Sequence, residues 1–449
     1  MSTISEYYLQ AELALASYSN LSPGMSGKDY TDALQNNGNG MTLTQAQDFS
    51  SNWNVIDQYD GTVEESYVDE FGLEHTFLNP TGLSVTLFED SSGKQVIAVR
   101  GTNDLNDVIT DVIDIGALGT SEYQAQYKAL SAQVEKWVDL GDLHSGFLVT
   151  GHSLGGFLAT NLTLEYSTDV TQTFIYNAPG VTGVGGNIIE AISSALSPDN
   201  PIALPTVLPV SNIVATDDIV SSVGLSVSTP IIISVDAQNP LTAHSIVGLT
   251  SSLCIYNLFS TISGSDNPDD FTPFLEKMPD EHALSVVNNV FQAGIDPTQV
   301  SVDLAIELTG YANDHSLTGL TVTSLHEHSA EALRSAAEND NAFLFALNAL
   351  AGFAISGNQP GYVNLVAAEY STQYLEDRSL FLYQTMHEDT LSPTGDDMQF
   401  CDTTLGIDAY AGNGVPDFTD RHYIFGNLEG ELIVKKKGSS LPLTFVVNV

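Results

Sequence analysis

Residues 151–155 have the sequence Gly-His-Ser-Leu-Gly, a Gly-x-Ser-x-Gly pentapeptide with its serine at Ser153. Residues 146–150 before it are apolar, as in a short buried strand, whereas residues 156–166 carry leucines at helical spacing. A serine on so tight a strand-to-helix turn holds strained backbone angles, and its flanking glycines let strand and helix approach closely. The pattern therefore predicts a nucleophile at Ser153, with the Leu154 backbone N–H aimed at the oxygen of a bound carbonyl.

A serine hydroxyl is a weak nucleophile unless a base accepts its proton and a carboxylate orients that base. Among the histidines that follow Ser153, His244 is the best placed, because it stands at a loop-to-helix junction. The acid is expected where a strand ends, and the strand pattern at residues 211–216 is followed at once by Asp217 and Asp218. Adjacent residues leaving a strand point to opposite sides, so only one of these aspartates can face the histidine.

These residues resemble the alkaline lipases and phospholipase A1-like hydrolases among bacterial type I-secreted proteins and, more distantly, the class 3 lipases. Residues 96–102 resemble the class 3 strand that ends in an oxyanion-hole residue, which maps to Thr102. Residues 212–220 resemble the segment whose aspartate precedes Ile-Val, and this resemblance selects Asp218. Residues 244–259 resemble the histidine-led helix of the secreted group.

The resemblance implies a serine carboxylic-ester hydrolase that cleaves lipid esters, as a lipase or carboxylesterase, through an acyl-enzyme. The residues that it assigns to the site are, for the catalytic triad, Ser153, Asp218 and His244 and, for the oxyanion hole, Thr102 and Leu154. Phospholipase A1 activity is the alternative. A non-catalytic adhesion or scaffold module of a secreted protein that retains a hydrolase fold is a remote alternative.

Strand and helix patterns alternate through the first part of the chain, which predicts a mostly parallel sheet covered on both faces, the α/β class of an α/β-hydrolase. Helix patterns dominate afterwards, at residues 281–293, 299–311, 325–338, 341–355 and 361–377. The last stretch is rich in Asp, Gly and Thr. We therefore expect an α/β-hydrolase catalytic domain at 1–265, a helical accessory region at 266–390 and an Asp/Gly-rich β segment at 391–449.

The segment between the expected strands at Phe174 and Asn212 is long for a simple connection. Its residues, 178–210, begin with several glycines and continue with apolar residues at helical spacing. Two interpretations stay open. The segment is either a mobile apolar lid or acyl-chain wall, or a crossover helix packed on the sheet.

The chain is strongly acidic, since 12 Lys and Arg stand against 56 Asp and Glu and give a formal charge of −44 over 449 residues. Such a field repels nucleic acid and bare anionic membranes, so a nucleic-acid partner is not expected. The partner that the resemblance implies is a lipid or ester substrate, met in transient contact with a lipid interface. The chemistry requires no cofactor. Isolated carboxylates could hold one structural Ca²⁺, although the sequence has no Gly-Gly-x-Gly-x-Asp repeat and its metal ligands are unknown.

The sequence shows no basic and apolar leader at its N-terminus and no run of 18 apolar residues, so neither a cleavable signal peptide nor a transmembrane segment is expected. Cytoplasmic location and secretion without a signal peptide are both open on these facts, and the family resemblance favours secretion. His326 and His328 are separated by two positions and would not share a face of the helix predicted there, so zinc binding is not expected.

Overall fold

A computed structural model of the chain describes residues 2–35, 40–61, 65–68, 74–77, 82–101, 121–180, 208–222, 226–237, 239–387, 398–402, 407–411, 421–425 and 433–436. The chain divides into two compact units. The first comprises Met1–Ile233 and Asn239–Leu253, and the second comprises Ser234–Gln238 and Cys254–Val449.

The first unit opens with helices and continues as strands that alternate with helices. Its elements in chain order are α1 (Ile4–Ala16), α2 (Gly27–Gln35), α3 (Leu43–Asn52), β1 (Trp53–Asp60), β2 (Glu65–Val68), β3 (Glu74–Phe77), β4 (Ser84–Asp90), β5 (Gln95–Val99), α4 (Ser121–Leu140), β6 (Phe147–His152), α5 (Leu154–Glu165), β7 (Val170–Tyr176), β8 (Val210–Ala215), β9 (Pro230–Ile233), α6 (Pro240–Ala243) and α7 (Ile246–Ser263). Helix α1 starts at a capping box, in which Thr3 and Glu6 each accept a hydrogen bond from the other's backbone N–H. Helix α7 continues into the second unit.

The strands of the first unit form a mostly parallel sheet. Among the described residues its order is β1-β4-β5-β6-β7-β8-β9. The first two pairings, β1 with β4 and β4 with β5, are antiparallel, and every pairing from β5 to β9 is parallel. Parallel neighbours need crossover connections, which the helix α5 supplies between β6 and β7.

Helices cover both faces of this sheet, as neighbouring residues of β6 show. Val149 lies in the apolar core with Leu158 of α5 and Trp137 of α4. Thr150 points to the opposite face, where its hydroxyl donates a hydrogen bond to the carbonyl of Gln10 in α1 at 3.0 Å. All of β6 is buried, as is typical of a parallel strand covered on both sides. The predicted α/β-hydrolase fold class is confirmed.

The second unit is mainly helical. Its elements are α8 (Thr272–Leu275), α9 (Asp280–Phe291), α10 (Ser301–Asp314), β10 (Val322–Ser324), α11 (Ala330–Asn339), α12 (Asn341–Ala349), β11 (Phe353–Ile355), α13 (Thr372–His387), β12 (Met398–Asp402), β13 (Ile407–Ala411), β14 (Arg421–Phe425) and β15 (Ile433–Lys436). Short 3₁₀ helices lie at Pro268–Asp270, Pro360–Tyr362 and Ala367–Glu369. Edge-on aromatic rings form part of its core, with the ring of Phe259 5.1 Å from that of Phe274 and 5.0 Å from that of Phe353.

The predicted helix over residues 341–355 is wrong in its second half. Helix α12 ends at Ala349, because Leu350 adopts a left-handed conformation with φ of 54°. Phe353–Ile355 then forms β11, which pairs antiparallel with β10. The apolar run therefore serves two elements, and an aromatic and a β-branched residue in β11 fit the strand that replaces the last helical turn.

Two further helix predictions differ at their starts. Over residues 361–377 the structure has 3₁₀ turns first, and α13 begins only at Thr372. Helix α11 begins after its N-cap Ser329, so His326 and His328 precede the helix that was predicted to carry them. The helices predicted over 281–293 and 299–311 are present as α9 and α10.

The end of the chain contains strands, as its composition predicts. The backbone of β12 pairs antiparallel with β13 and parallel with β14, and β15 pairs with β14. The three-way division at residues 265 and 390 stays a prediction. Most of the segment proposed as a lid or crossover, residues 181–207, lies outside the described residues.

One described helix, α7, is long and apolar enough by length and composition to cross a membrane. About two-thirds of it is buried inside the protein (67%). Burial of this kind is usual for a core helix, and Leu249 and Leu253 on it are fully buried.

Candidate active site

Ser153 occupies the turn between β6 and α5. Its φ of 56° and ψ of −127° lie in a region that residues with a side chain rarely adopt. Its backbone N–H donates a hydrogen bond to the Tyr176 carbonyl at 2.9 Å, and its carbonyl accepts from the N–H of Gly156 at 3.0 Å. The strained turn is thus fixed on both sides, and it projects the hydroxyl away from the end of the strand.

The glycines around Ser153 are required by close backbone approach. A Cβ on Gly155 would lie 2.2 Å from the Val99 carbonyl oxygen, and one on Gly151 would lie 2.4 Å from the Gly155 carbonyl oxygen. Neither neighbour is a flexible side chain, so a larger residue would force strand and helix apart. This tight contact brings the first turn of α5 against the end of β5.

His244 follows α6, a single turn whose start is set by the sequence. Asn239 caps this turn by accepting hydrogen bonds from the N–H groups of Leu241 and Thr242, and Pro240 occupies its first position. The His244 side chain is buried. Its Nε2 lies 2.9 Å from Ser153 Oγ, and its Nδ1 lies 2.7 Å from Asp218 Oδ1.

The two candidate aspartates have different environments. Asp217 is exposed and has a left-handed φ of 62°, whereas Asp218 is 8% exposed and faces His244. Asp218 Oδ2 also accepts the backbone N–H of Ser221 at 2.7 Å. Burial by itself would raise the pKa of Asp218, but the hydrogen bonds from His244 and Ser221 outweigh burial and lower it.

The acceptor and donor roles along this chain of hydrogen bonds are fixed by the carboxylate. An ionised Asp218 can only accept, so His244 Nδ1 carries a proton and its Nε2 is the basic nitrogen. That nitrogen is placed to accept the Ser153 hydroxyl proton. The arrangement can convert the hydroxyl into a nucleophile and stabilise the imidazolium that results.

Asn177 is a site residue that the sequence patterns did not indicate. It is fully buried, follows β7 and has a left-handed φ of 47°. Its Oδ1 accepts the Ala215 N–H at 2.8 Å, and its Nδ2 donates to the Ala243 carbonyl at 3.0 Å. One amide thus joins the strand end that leads to Asp218 to the residue before His244. The available signal was an asparagine at the end of the strand pattern that begins at Phe174.

Of the two residues predicted for the oxyanion hole, the structure describes one. Leu154 is the first residue of α5 and is buried, whereas Thr102 lies outside the described residues. Over the part of the chain that the structure describes, no group of three or more His, Cys, Asp or Glu side chains is arranged to hold a metal ion.

No protein-family model matches the chain, and no curated protein sequence matches it. Among solved structures, a lipase of Yarrowia lipolytica aligns at 19% identity over 54% of this chain and 84% of that one, with a TM-score of 0.30. Lipase II of Rhizopus niveus aligns at 17% identity over 49% and 73%, with a TM-score of 0.29. A Rhizomucor miehei lipase propeptide complex aligns at 15% identity over 56% and 78%, with a TM-score of 0.30. At these identities and TM-scores no property of those proteins carries over to this chain.

Proposed function

We propose that this protein is a serine carboxylic-ester hydrolase that acts on lipid esters. The observation that carries the proposal is the hydrogen-bonded series from Ser153 Oγ through His244 to Asp218, with distances of 2.9 and 2.7 Å. The strained turn at Ser153 supports it, because backbone strain of this kind clusters at active sites.

In the proposed reaction Ser153 Oγ attacks the ester carbonyl carbon while its proton passes to His244 Nε2. The tetrahedral oxyanion is bound by the backbone N–H of Leu154 and by that of Thr102, the residue that the family resemblance assigns to this role. The C–O bond to the alcohol then breaks, and the alcohol takes the proton from His244. Water repeats these steps on the acyl-enzyme and releases the acid. Asp218 keeps the imidazole in the tautomer with its free nitrogen toward the serine.

Replacement of the nucleophile tests the chemistry. Ser153→Ala should abolish hydrolysis of p-nitrophenyl butyrate and covalent labelling by a fluorophosphonate, without change in the melting temperature, because alanine meets the same backbone strain as serine. Ser252→Ala removes another buried serine of the first unit and should retain both activities. Undiminished labelling of Ser153→Ala would defeat the proposal, and a wild-type chain that is inert to the probe would favour the non-catalytic scaffold.

Apolar side chains exposed beside the triad support a lipid substrate. Ile219, directly after Asp218, is 49% exposed, and Leu241, three residues before His244, is 38% exposed. Ile219 lies in the turn after β8, and Leu241 lies in α6, the helical turn that precedes the base. We propose that they contact the acyl chain or the lipid surface from which it is drawn.

A chain-length comparison tests this assignment. The double variant Ile219→Ser and Leu241→Ser should lower kcat/KM for p-nitrophenyl decanoate and leave p-nitrophenyl acetate almost unchanged. Val363→Ser, at a residue 78% exposed in the second unit, is the matched control. Equal loss on both esters would exclude the acyl-chain role.

Comparing the hydrolysis of tributyrin with that of phosphatidylcholine distinguishes a lipase or esterase from a phospholipase A1. The net charge of −44 disfavours anionic head groups, so we propose triacylglycerol or simple esters as the preferred substrates and phospholipase A1 activity as the alternative. Faster release of fatty acid from the sn-1 position of phosphatidylcholine than from tributyrin would reverse that order.

A further inference from the structure

Besides the hydrogen bonds that join Ser153, His244 and Asp218, the first unit contains a second series that ends at the His244 backbone. Tyr18 Oη lies 2.8 Å from His152 Nδ1, and it accepts the backbone N–H of Gly101 at 3.1 Å. On the other side of the ring, His152 Nε2 lies 2.8 Å from the carbonyl oxygen of His244. One tyrosine and one histidine thus join four parts of the chain: the N-terminal segment, the residues that follow β5, the turn that carries Ser153, and the loop that carries His244.

The donors in this series have one consistent arrangement. The His244 carbonyl can only accept, so His152 carries its proton on Nε2 and its Nδ1 is an acceptor. The Tyr18 hydroxyl therefore donates to Nδ1, and its lone pair accepts from Gly101. Each atom of the series has the partner that its chemistry requires.

The series also keeps its protonation state over the pH range in which esterases act. Burial, with the nearby His244 as a second cause, lowers the pKa of His152 to about 3, so the ring is neutral. Burial raises the pKa of Tyr18, so its hydroxyl proton is retained. Neither group is suited to act as an acid or base in the reaction.

The two ends of the series hold backbone that the proposed reaction depends on. A Cβ on Gly101 would lie 2.5 Å from the His152 carbonyl oxygen and 3.1 Å from Ser153 Cβ, so this backbone lies directly against the nucleophile. Gly101 also immediately precedes Thr102 in the sequence. The other end is the main chain of the catalytic base itself.

Tyr18 stands on a segment that is fixed to the same strands. It follows α1, whose Tyr7 carbonyl accepts a hydrogen bond from Tyr176 Oη at 2.6 Å. The Tyr176 carbonyl in turn accepts the N–H of Ser153 at 2.9 Å. The hydroxyl of Thr150 in β6 also donates to α1. The position of the Tyr18 hydroxyl is therefore tied to the strands that carry the nucleophile.

We propose that Tyr18 and His152 are positioning residues, which hold the backbone at Gly101 and at His244 in register with Ser153. This inference rests on the proposed function, since it concerns the same reaction. The hydrogen bonds of His152 go to Tyr18 and to the His244 backbone, and its ring lies 4.9 Å from the ring of His244. Loss of Tyr18 or His152 should therefore weaken alignment in the transition state and leave substrate binding intact. Misplacement of a reacting group by about 1 Å costs on the order of 10²-fold in rate.

The test uses tyrosine and histidine variants that preserve the ring volume. For Tyr18→Phe and His152→Phe we expect kcat on p-nitrophenyl butyrate to fall about 10- to 100-fold, with KM almost unchanged. Tyr30→Phe removes a buried hydroxyl of α2 and should leave kcat at the wild-type value. His152→Gln should recover part of the rate lost in His152→Phe, because its amide can donate to the His244 carbonyl and accept from Tyr18.

Affinity for a boronic acid that mimics the tetrahedral state separates positioning from general stability. In each variant Ki for the boronate should rise by the factor by which kcat falls, at a temperature well below the melting point of every variant. Wild-type kcat in Tyr18→Phe, or a loss of activity that follows the melting temperature and leaves Ki unchanged, would overturn the inference while the Ser153 experiment still supports the hydrolase. If the wild-type chain neither hydrolyses esters nor reacts with the fluorophosphonate, the proposed function fails and this inference fails with it.

Discussion

Replacing the two neighbouring aspartates by asparagine gives the sharpest test of the proposed mechanism. In Asp218→Asn the new amide has one acceptor and one donor, but it faces two donors, His244 Nδ1–H and the Ser221 N–H. If its oxygen accepts from Ser221, its NH₂ group meets His244 and forces the proton onto Nε2, the nitrogen that must be free to accept from Ser153. If its oxygen faces His244 instead, two N–H donors oppose each other at Ser221.

Either outcome removes the base or destabilises the loop that holds it. A triad with the wrong tautomer loses about 10⁴-fold in turnover, which corresponds to a barrier increase of about 5 kcal/mol. We therefore expect kcat of Asp218→Asn on p-nitrophenyl butyrate to fall by about 10³- to 10⁴-fold. The variant should remain folded, because the substitution preserves side-chain volume in a buried position.

Asp217→Asn is the matched control in the adjacent position. Asp217 is exposed and has a φ of 62°, a conformation that asparagine tolerates as well as aspartate. Its kcat should stay within about twofold of wild type, since surface substitutions of this kind change little. Severe loss in Asp217→Asn with mild loss in Asp218→Asn would refute the assignment of the acid, and equal severe loss in both would indicate a shared structural role.

Three further predictions concern the framework and its chemistry. Gly155→Ala places a Cβ 2.2 Å from the Val99 carbonyl and should lower the free energy of unfolding in urea by at least about 2 kcal/mol, whereas Gly310→Ala, with no atom within 4 Å, should be neutral or stabilising. Burial raises the pKa of Glu12 from 4.5 to about 8, so the unfolded chain ionises first and stability should fall as pH rises between these values. Glu12→Gln keeps the acceptor for the Tyr8 hydroxyl and should remove that decline in stability. Thermal melts of both proteins from pH 5 to pH 9 would measure it. An unchanged decline in the variant would show that another group causes it. Because the proposed nucleophile, acid and base are all side chains, EGTA should leave kcat unchanged even where it lowers the melting temperature. A loss of kcat at constant stability would contradict a metal-independent reaction.

Local signals in the sequence were sufficient for the central strands β5, β6 and β8 and for the turn that carries Ser153, but they did not indicate the edge strand β1. The runs of β5, β6 and β8 are short, apolar and bounded by polar or glycine residues, and such runs predict buried parallel strands well. The same reasoning failed at residues 341–355, where an apolar run continues through the end of α12 into β11. Periodicity could not separate the two elements, because both are buried and the break is one left-handed residue, Leu350.

The choice between Asp217 and Asp218 shows what the strand pattern leaves undetermined. Alternation along a strand establishes that the two side chains diverge, but it does not say where the strand stops. The structure ends β8 at Ala215 and turns the chain at Asp217 through a positive φ, which leaves that side chain in solvent. It is the turn after the strand that directs Asp218 toward His244.

Motif reasoning could not find residues whose proposed role depends on long-range hydrogen bonds. Tyr18 is separated from His152 by 134 positions, and nothing in the residues around either one indicates that they meet. Their contact depends on α1 lying across the strands, which is itself a result of packing over the whole sheet. The pentapeptide favours the proposed nucleophile through its own backbone geometry, whereas the proposed alignment of His244 and of the backbone at Gly101 depends on hydrogen bonds that only the complete first unit brings together.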